Sequence, residues 1–253
     1  MEQIKPILFN TEMVRAIIAG RKAQTRRAIK TPAEVHESPN GTISVTKPRK
    51  YPDEYCRFVP YAPIEKGDTL WVRETWAKSD VCTAHGDVRK NDKLFYRADY
   101  PNHLFEATTE EVESDFLYTL KWRPSIHMPK EAARLFLQVT NVRVGRLQDI
   151  TTEDICSEGV WVEPPPAAVT TPKKPAQYDT WPNERKVNWY NEMARSAYIA
   201  QCDHVAALHS AWGKLWDSTI KPDDIDKYGW SANPWVWVYD FERLDNPQSK
   251  AEI

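Results

Sequence analysis

The sequence predicts an α+β fold that is mainly β, with peripheral helices and long insertions. Three observations predict it. Short stretches of strand character recur along the chain, at 4–9, 69–77, 93–98, 135–144 and 235–244. Two stretches show helical spacing instead, one near each end. Nineteen Pro against eight Gly predict stiffened loops, and eleven Trp with eleven Tyr supply flat rings to fill a sheet core or to stack on bases.

Ile4–Phe9 reads as an entry strand. Asn10 or Thr11 can then cap a helix, because a short side-chain oxygen satisfies a free backbone N–H. Met13, Val14, Ile17 and Ile18 lie on one helical face, and Gly20 stops the helix by entering the left-handed region. A basic strip follows the turn, with Arg15, Arg21, Lys22, Arg26, Arg27 and Lys30 and no acid between 15 and 30. In a chain of net charge −2, that strip suits a phosphate or another anion, or else a solvated helix C-terminus.

Residues 31–66 are Pro-rich and polar, and Asn40-Gly41 ahead of Thr-Ile-Ser-Val-Thr predicts a hairpin turn. The strand at 69–77 places Leu70, Val72, Glu74 and Trp76 on one face and Trp71, Arg73 and Thr75 on the other. Residues 78–92 read as loop, 93–98 as a short strand, and 99–121 as an acidic, irregular excursion. Pro124 and Pro129 hold 121–129 extended. Leu135, Leu137, Val139, Val142 and Val144 form a long strand whose phase slips near Thr140-Asn141, as at a bulge. Thr151 or Thr152 caps a short helix stopped by Gly159, and the proline-rich 161–183 is an inserted loop. Val205, Leu208, Trp212 and Leu215 mark a helix over 184–219, with Pro222 beyond it. Trp235–Leu244 is the strongest strand, and 245–253 is a polar tail.

The length is compatible with one large domain, 1–253, carrying insertions at 28–66, 78–130 and 160–220. Cys56, Cys82, Cys156 and Cys202 stand far apart, which points to thiols rather than a zinc site or a disulfide framework. No grouping has metal-ligand spacing, no glycine-rich phosphate loop appears, and no cofactor is implied. Without an apolar leader or a membrane-length span, a soluble cytoplasmic protein is expected.

Three constellations can carry chemistry. Lys22 and Thr25 are three apart; a Thr hydroxyl needs a base, and a Lys serves only if burial or the neighbouring Arg21, Arg26 and Arg27 lower its proton affinity. Glu158 closes a helix at its negative end, as a solvated carboxylate or, if buried, as a general acid. The third is a set of candidates for a nucleobase. Arg73 or Glu74 must face inward and find a partner or a ligand. Trp76 or Trp230 could stack on a base or serve as core. Ser125 and His127 sit in the Pro-bounded run, where His127 meets a base edge, a phosphate or the core. Asn233 reads a base edge or caps a turn.

The run Gly20-Arg21-Lys22-Ala23-Gln24-Thr25-Arg26-Arg27 resembles the Gly-x-Lys-x-x-Thr-x-Arg signature of the ASCH domain. That resemblance implies a PUA-like small antiparallel β-barrel and a link to RNA or modified nucleosides. Bacterial ASCH amidohydrolases of N(4)-acetylcytidine are similar at Lys22, Thr25 and Arg27, at Glu158, and in the closing strand 237–244. By that resemblance Lys22 is the base, Thr25 the nucleophile and Glu158 the acid. This chain is more than twice as long as those enzymes. Gly-Asp-x-Leu-Trp-Val-Arg-Glu-Thr-Trp (67–76), Trp-Arg-Pro-Ser-Ile-His-Met-Pro (122–129) and Gly-Trp-x-Ala-Asn-Pro-Trp-Val-Trp (229–237) resemble larger ASCH proteins of phages and prophages. The expected activity is therefore an amidohydrolase of an acylated nucleobase, nucleoside or nucleotide. The alternatives are a non-catalytic module for RNA or a modified base, and a ribonuclease.

Overall fold

A computed structural model describes residues 3–30, 33–48, 58–83, 88–100, 116–120, 122–166 and 173–244. The described chain is mixed α and β, with mainly antiparallel strands and helices at their margins. It divides into two compact units, one formed by residues up to Val144 together with those from Trp237, the other by Gly145–Val236.

The first unit is built on β1 (Ile4–Leu8), β2 (Gln24–Ala28), β3 (Glu34–Glu37), β4 (Ile43–Pro48), β5 (Phe58–Pro60), β6 (Thr69–Arg73), β7 (Trp76–Thr83), β8 (Val88–Tyr96), β9 (Phe116–Leu120), β10 (Phe136–Arg146) and β11 (Trp235–Leu244). Five of them form one sheet in the order β1-β6-β10-β11-β2. Among the described residues this order is open rather than closed into the expected barrel. β1 runs parallel to β6, Ile4 facing Thr69 and Leu8 facing Arg73, and β10 runs antiparallel to β6 with Leu137 opposite Leu70. Period-2 alternation decides the buried face of β6, where Leu70 and Val72 are shut away from solvent. Asp68 ties the start of that parallel pair. It accepts hydrogen bonds from Lys5 Nζ at 2.6 Å, Glu65 N at 2.7 Å and Gln3 N at 3.2 Å. Burial works against its charge, but Lys5 and the two backbone donors hold its carboxyl below the usual carboxylate range.

Helix α1 (Thr11–Ile18) connects β1 to β2. Asn10 Oδ1 accepts from Met13 N at 2.8 Å, and Met13, Val14, Ala16 and Ile17 face the core. The expected hairpin at Asn40-Gly41 is present between β3 and β4. Ser38 N donates to Thr42 O and Gly41 N to Ser38 O, with Gly41 at φ 79°. That is an i→i+3 turn followed by a left-handed residue, a three-residue hairpin loop.

Three expectations change. The run 121–129, expected extended, carries a 3-10 turn at Ser125–His127. The strand expected over 69–77 breaks at Glu74-Thr75, so Trp76 opens β7. The loop expected over 78–92 is instead an antiparallel hairpin of β7 and β8, joined on its other side by β9. Lys-Ser-Asp and Arg-Lys-Asn-Asp offer no apolar alternation to read, yet backbone ladders need none. β10 runs unbroken from Phe136 to Arg146, and its faces change phase near Thr140: Leu137 and Val139 are buried while Asn141 and Arg143 are exposed. The acidic excursion falls largely, and the tail wholly, outside the described residues.

The second unit holds α2 (Thr152–Ser157), α3 (Asn183–Ser218) and α4 (Ile225–Tyr228). Only the C-terminal part of α3 is core-facing, through Leu208, Trp212, Gly213 and Trp216. Trp216 Nε1 donates to Tyr228 O at 2.7 Å, which fastens α4 to α3. No helix among the described residues is long and apolar enough to cross a membrane.

Candidate functional site

The basic strip is positioned by the end of α1. Gly20 adopts φ 70°; its N–H donates to Ile17 O, and Arg21 N donates to Ala16 O at 2.8 Å. This pair is the Schellman motif, which turns the chain sharply and satisfies the last carbonyls. Lys22 emerges from it only 3 % exposed. Its Nζ donates to Gln24 O at 2.8 Å and lies 5.5 Å from the centre of the Phe9 ring. The Arg27 guanidinium sits 5.2 Å from that ring and donates to Leu8 O at 2.7 Å.

β2 then carries an unusual load for a strand interior: Gln24, Thr25 and Arg26 are all buried, Thr25 at 1 % exposed. Buried polar groups need partners, and a line of side chains provides them. Arg26 Nη1 donates to Gln24 Oε1, Gln24 Nε2 to Asp240 Oδ1, and Asn141 Nδ2 to Asp240 Oδ2 at 3.0 Å. Thr25 and Arg27 alternate with Gln24 and Arg26, so they share the opposite side of the strand.

Glu158 is presented by the same device in the second unit. Thr151 Oγ1 caps α2 through Asp154 N, Glu158 forms the C-cap, and Gly159 follows at φ 88°. Gly159 N donates to Cys156 O and Val160 N to Ile155 O, a second Schellman motif. Glu158 is 2 % exposed rather than solvated.

The nucleobase candidates are distributed differently. Glu74 turns inward at 1 % exposed and is claimed by Arg134, whose Nε and Nη2 donate to its two oxygens at 2.9 and 3.0 Å. Arg134 Nη1 also donates to both oxygens of Asp99 at 2.8 Å, and the guanidinium lies 4.0 Å from the Tyr96 ring centre. Burial pushes the Glu74 carboxyl up, against the pull of Arg134. Burial likewise opposes the charge of Arg134, but Glu74 and Asp99 hold it charged. Arg73 points the other way. It donates to Ile126 O and covers the Trp71 ring.

Trp76 is core rather than a stacking platform, packed with Met128, Ala132, Ala133 and Phe136. Ser125 and His127 belong to a short 3-10 turn, with His127 exposed. Trp230 packs its ring against Gly213, where an added Cβ would come within 3.1 Å. Asn233 is left-handed at φ 45°, and its Oδ1 accepts from Gln148 N at 2.8 Å, so it caps a turn.

Sequence reasoning missed a cleft of about 420 Å³ beside Arg27. Lys30 and Lys47 add two cations, and Tyr61, Trp237 and Tyr239 line it with rings. Lys47 Nζ lies 4.5 Å from the centre of the Tyr61 ring, and Trp237 and Tyr239 are within 17° of parallel. Burial and the nearby Tyr61 phenol push the Tyr239 hydroxyl up strongly, against Arg27. The basic strip and Trp237 were signals for it, but Lys47 and Tyr61 come from a separate Pro-rich stretch with no motif. Among the described residues, no three His, Cys, Asp or Glu side chains gather as a metal site would require. No family model, no curated protein and no solved structure matches the chain.

Proposed function

We propose that the protein is an amidohydrolase acting on an acylated nucleobase, nucleoside or nucleotide in the cytoplasm, with the five-stranded sheet as part of a PUA-like barrel of ASCH type. The observation that carries this reading is the burial of Lys22, directly after a capped helix end, and of Thr25 on the strand β2 that follows. Burial takes a lysine and a threonine three residues apart out of water, where a lysine's proton affinity falls and its use as a base becomes feasible. Burial of Glu158, held by an equivalent turn, adds to the support.

In this mechanism Lys22 Nζ, in its neutral form, takes the Thr25 hydroxyl proton. Thr25 Oγ1 attacks the acyl carbonyl, and Glu158 protonates the departing amine as the C–N bond breaks. The acyl group is left as a Thr25 ester. Water hydrolyses that ester, giving its proton to Glu158 and returning the hydroxyl to Thr25 with the proton held by Lys22. The products are a carboxylic acid and the free amino-nucleobase.

Incubation with N(4)-acetylcytidine, followed by chromatography of released cytidine, tests the reading. Wild type should release cytidine, whereas Thr25→Ala and Lys22→Ala should release none above background. Release by Thr25→Ala at the wild-type rate would remove Thr25 as nucleophile. The cleft of cations and rings favours a second reading, a binding module without chemistry. That reading predicts RNA binding by wild type and Thr25→Ala alike, with no turnover by either.

A further inference from the structure

We propose that the cleft beside β2 is a binding site for a nucleoside phosphate, its ring against the Tyr61–Trp237 floor and its phosphate held by Arg27, Lys30 and Lys47. The inference rests on the nucleobase half of the reading above and adds that the ligand carries phosphate.

Four observations lead there. The cleft's volume, about 420 Å³, lies within the range of about 300–1,000 Å³ common for small-molecule sites. Its lining is one-signed: Arg27, Lys30 and Lys47 contribute three cations, and no acidic side chain lines it among the described residues. In a protein of net charge −2, three cations around one concavity focus the local potential towards an anion.

The floor is aromatic, which excludes a bare inorganic anion as the best fit. Half-buried Tyr61 supplies the ring surface a base can reach, with the exposed edge of Trp237 beside it, while Tyr239 is buried. A planar base gains from such a surface whatever its identity. Arg27 is also pre-set. Its guanidinium is anchored on Leu8 O, Arg26 O and the Phe9 ring, which holds its charge at a defined place. The Phe9 ring carries Lys22 on the same terms, so cleft and catalytic strand share a support. Arg27 stands two residues from Thr25 on one side of β2, roughly 7 Å along the strand.

Calorimetric titration of the intact protein with cytidine, cytidine 5′-monophosphate, inorganic phosphate and a five-nucleotide oligocytidylate tests the site. The monophosphate should bind at least tenfold more tightly than either cytidine or phosphate. Lys30→Met with Lys47→Met, which keeps the apolar stems, should erase that preference without lowering the melting temperature. The affinity should also fall as salt rises. If the oligonucleotide binds more tightly than the monophosphate, with a steeper salt dependence, the phosphate belongs to RNA; equal affinity assigns it to a free nucleotide.

Equal binding of cytidine and its monophosphate would overturn the proposal, as would a preference that survives in the folded double variant. Phosphate competing as well as the monophosphate would overturn it too, since the rings would then contribute nothing. Deacylation without any phosphate preference would end this inference alone. A phosphate preference without deacylation would end the enzyme reading alone.

Discussion

Removing both ends of the Glu74–Arg134 pair should cost clearly less than the two single removals added together. Glu74→Ala takes away the acceptor of two N–H bonds at 2.9 and 3.0 Å in a position 1 % exposed. Breaking a buried pair costs about 3–5 kcal/mol. Here the Arg134 side chain keeps 26 % exposure and retains Asp99, so solvent screening takes the cost below that range, to about 2–3 kcal/mol. Arg134→Ala is the harsher change, because it strands a buried carboxylate with no cation, and about 3–4 kcal/mol is expected. The double variant should cost less than the sum by about 2 kcal/mol, since neither charge is then left alone. Urea unfolding followed by circular dichroism reads all four proteins, with an unchanged slope on denaturant confirming that the same transition is compared. Single-variant costs that add to within about 0.5 kcal/mol would refute the reasoning and make Glu74 and Arg134 independent packing residues.

Two more outcomes follow from the same framework. Asp68 is held below its ordinary range, so its ionised form adds stability that is present above about pH 4 and lost as pH falls through its lowered folded value. Asp68→Asn should therefore be less stable than wild type at neutral pH, and the two melting temperatures should converge under acid; a difference that stays constant down to pH 2 would contradict this. Gly20→Ala meets no atom within 4 Å but forces a left-handed backbone at φ 70°, so a loss of about 1–2 kcal/mol is expected, together with weakened turnover because Lys22 leaves the same turn. Normal stability in thermal melts would show that the turn relaxes freely.

The parts of the fold governed by neighbours in sequence were legible. Asn10, most of the apolar face of α1, Gly20 and the Asn40-Gly41 hairpin are local signals that lie where their spacing points, though Ile18 of that face is exposed and Ala16 is buried instead. The helix expected over 184–219 runs from Asn183 to Ser218, its buried residues including Leu208 and Trp212 of the expected stripe. The hairpin of β7 and β8 was legible only at its ends, in the strands expected over 69–77 and 93–98; its middle, Lys78–Asp80 and Arg89–Asp92, is written in charged and polar residues and is held by backbone pairing. Glu74 was recognisable as a charge needing a partner. That partner, Arg134, stands 60 residues away, and no spacing rule reaches so far. Lys47 and Tyr61 reach the cleft for the same reason, through β4 pairing with β3 and β5 rather than through any motif.

The polar line from Arg26 through Gln24 and Asp240 to Asn141 has a consequence for how the sheet chooses its alignment. It crosses from β2 over β11 to β10, joining residues up to 216 apart in sequence. Apolar strands tolerate sliding, because one valine replaces another. This line does not. Moving β2 by one residue along β11 would set Ala23 or Thr25 against Asp240 and turn Arg26 to the wrong face, burying charge without an acceptor. The misaligned sheet is thereby penalised far more than the correct one is rewarded. Lys22, Thr25 and Arg27 inherit their positions from that discrimination, so a substitution at Asp240, on a different strand, should scramble the strip's alignment before it weakens the fold.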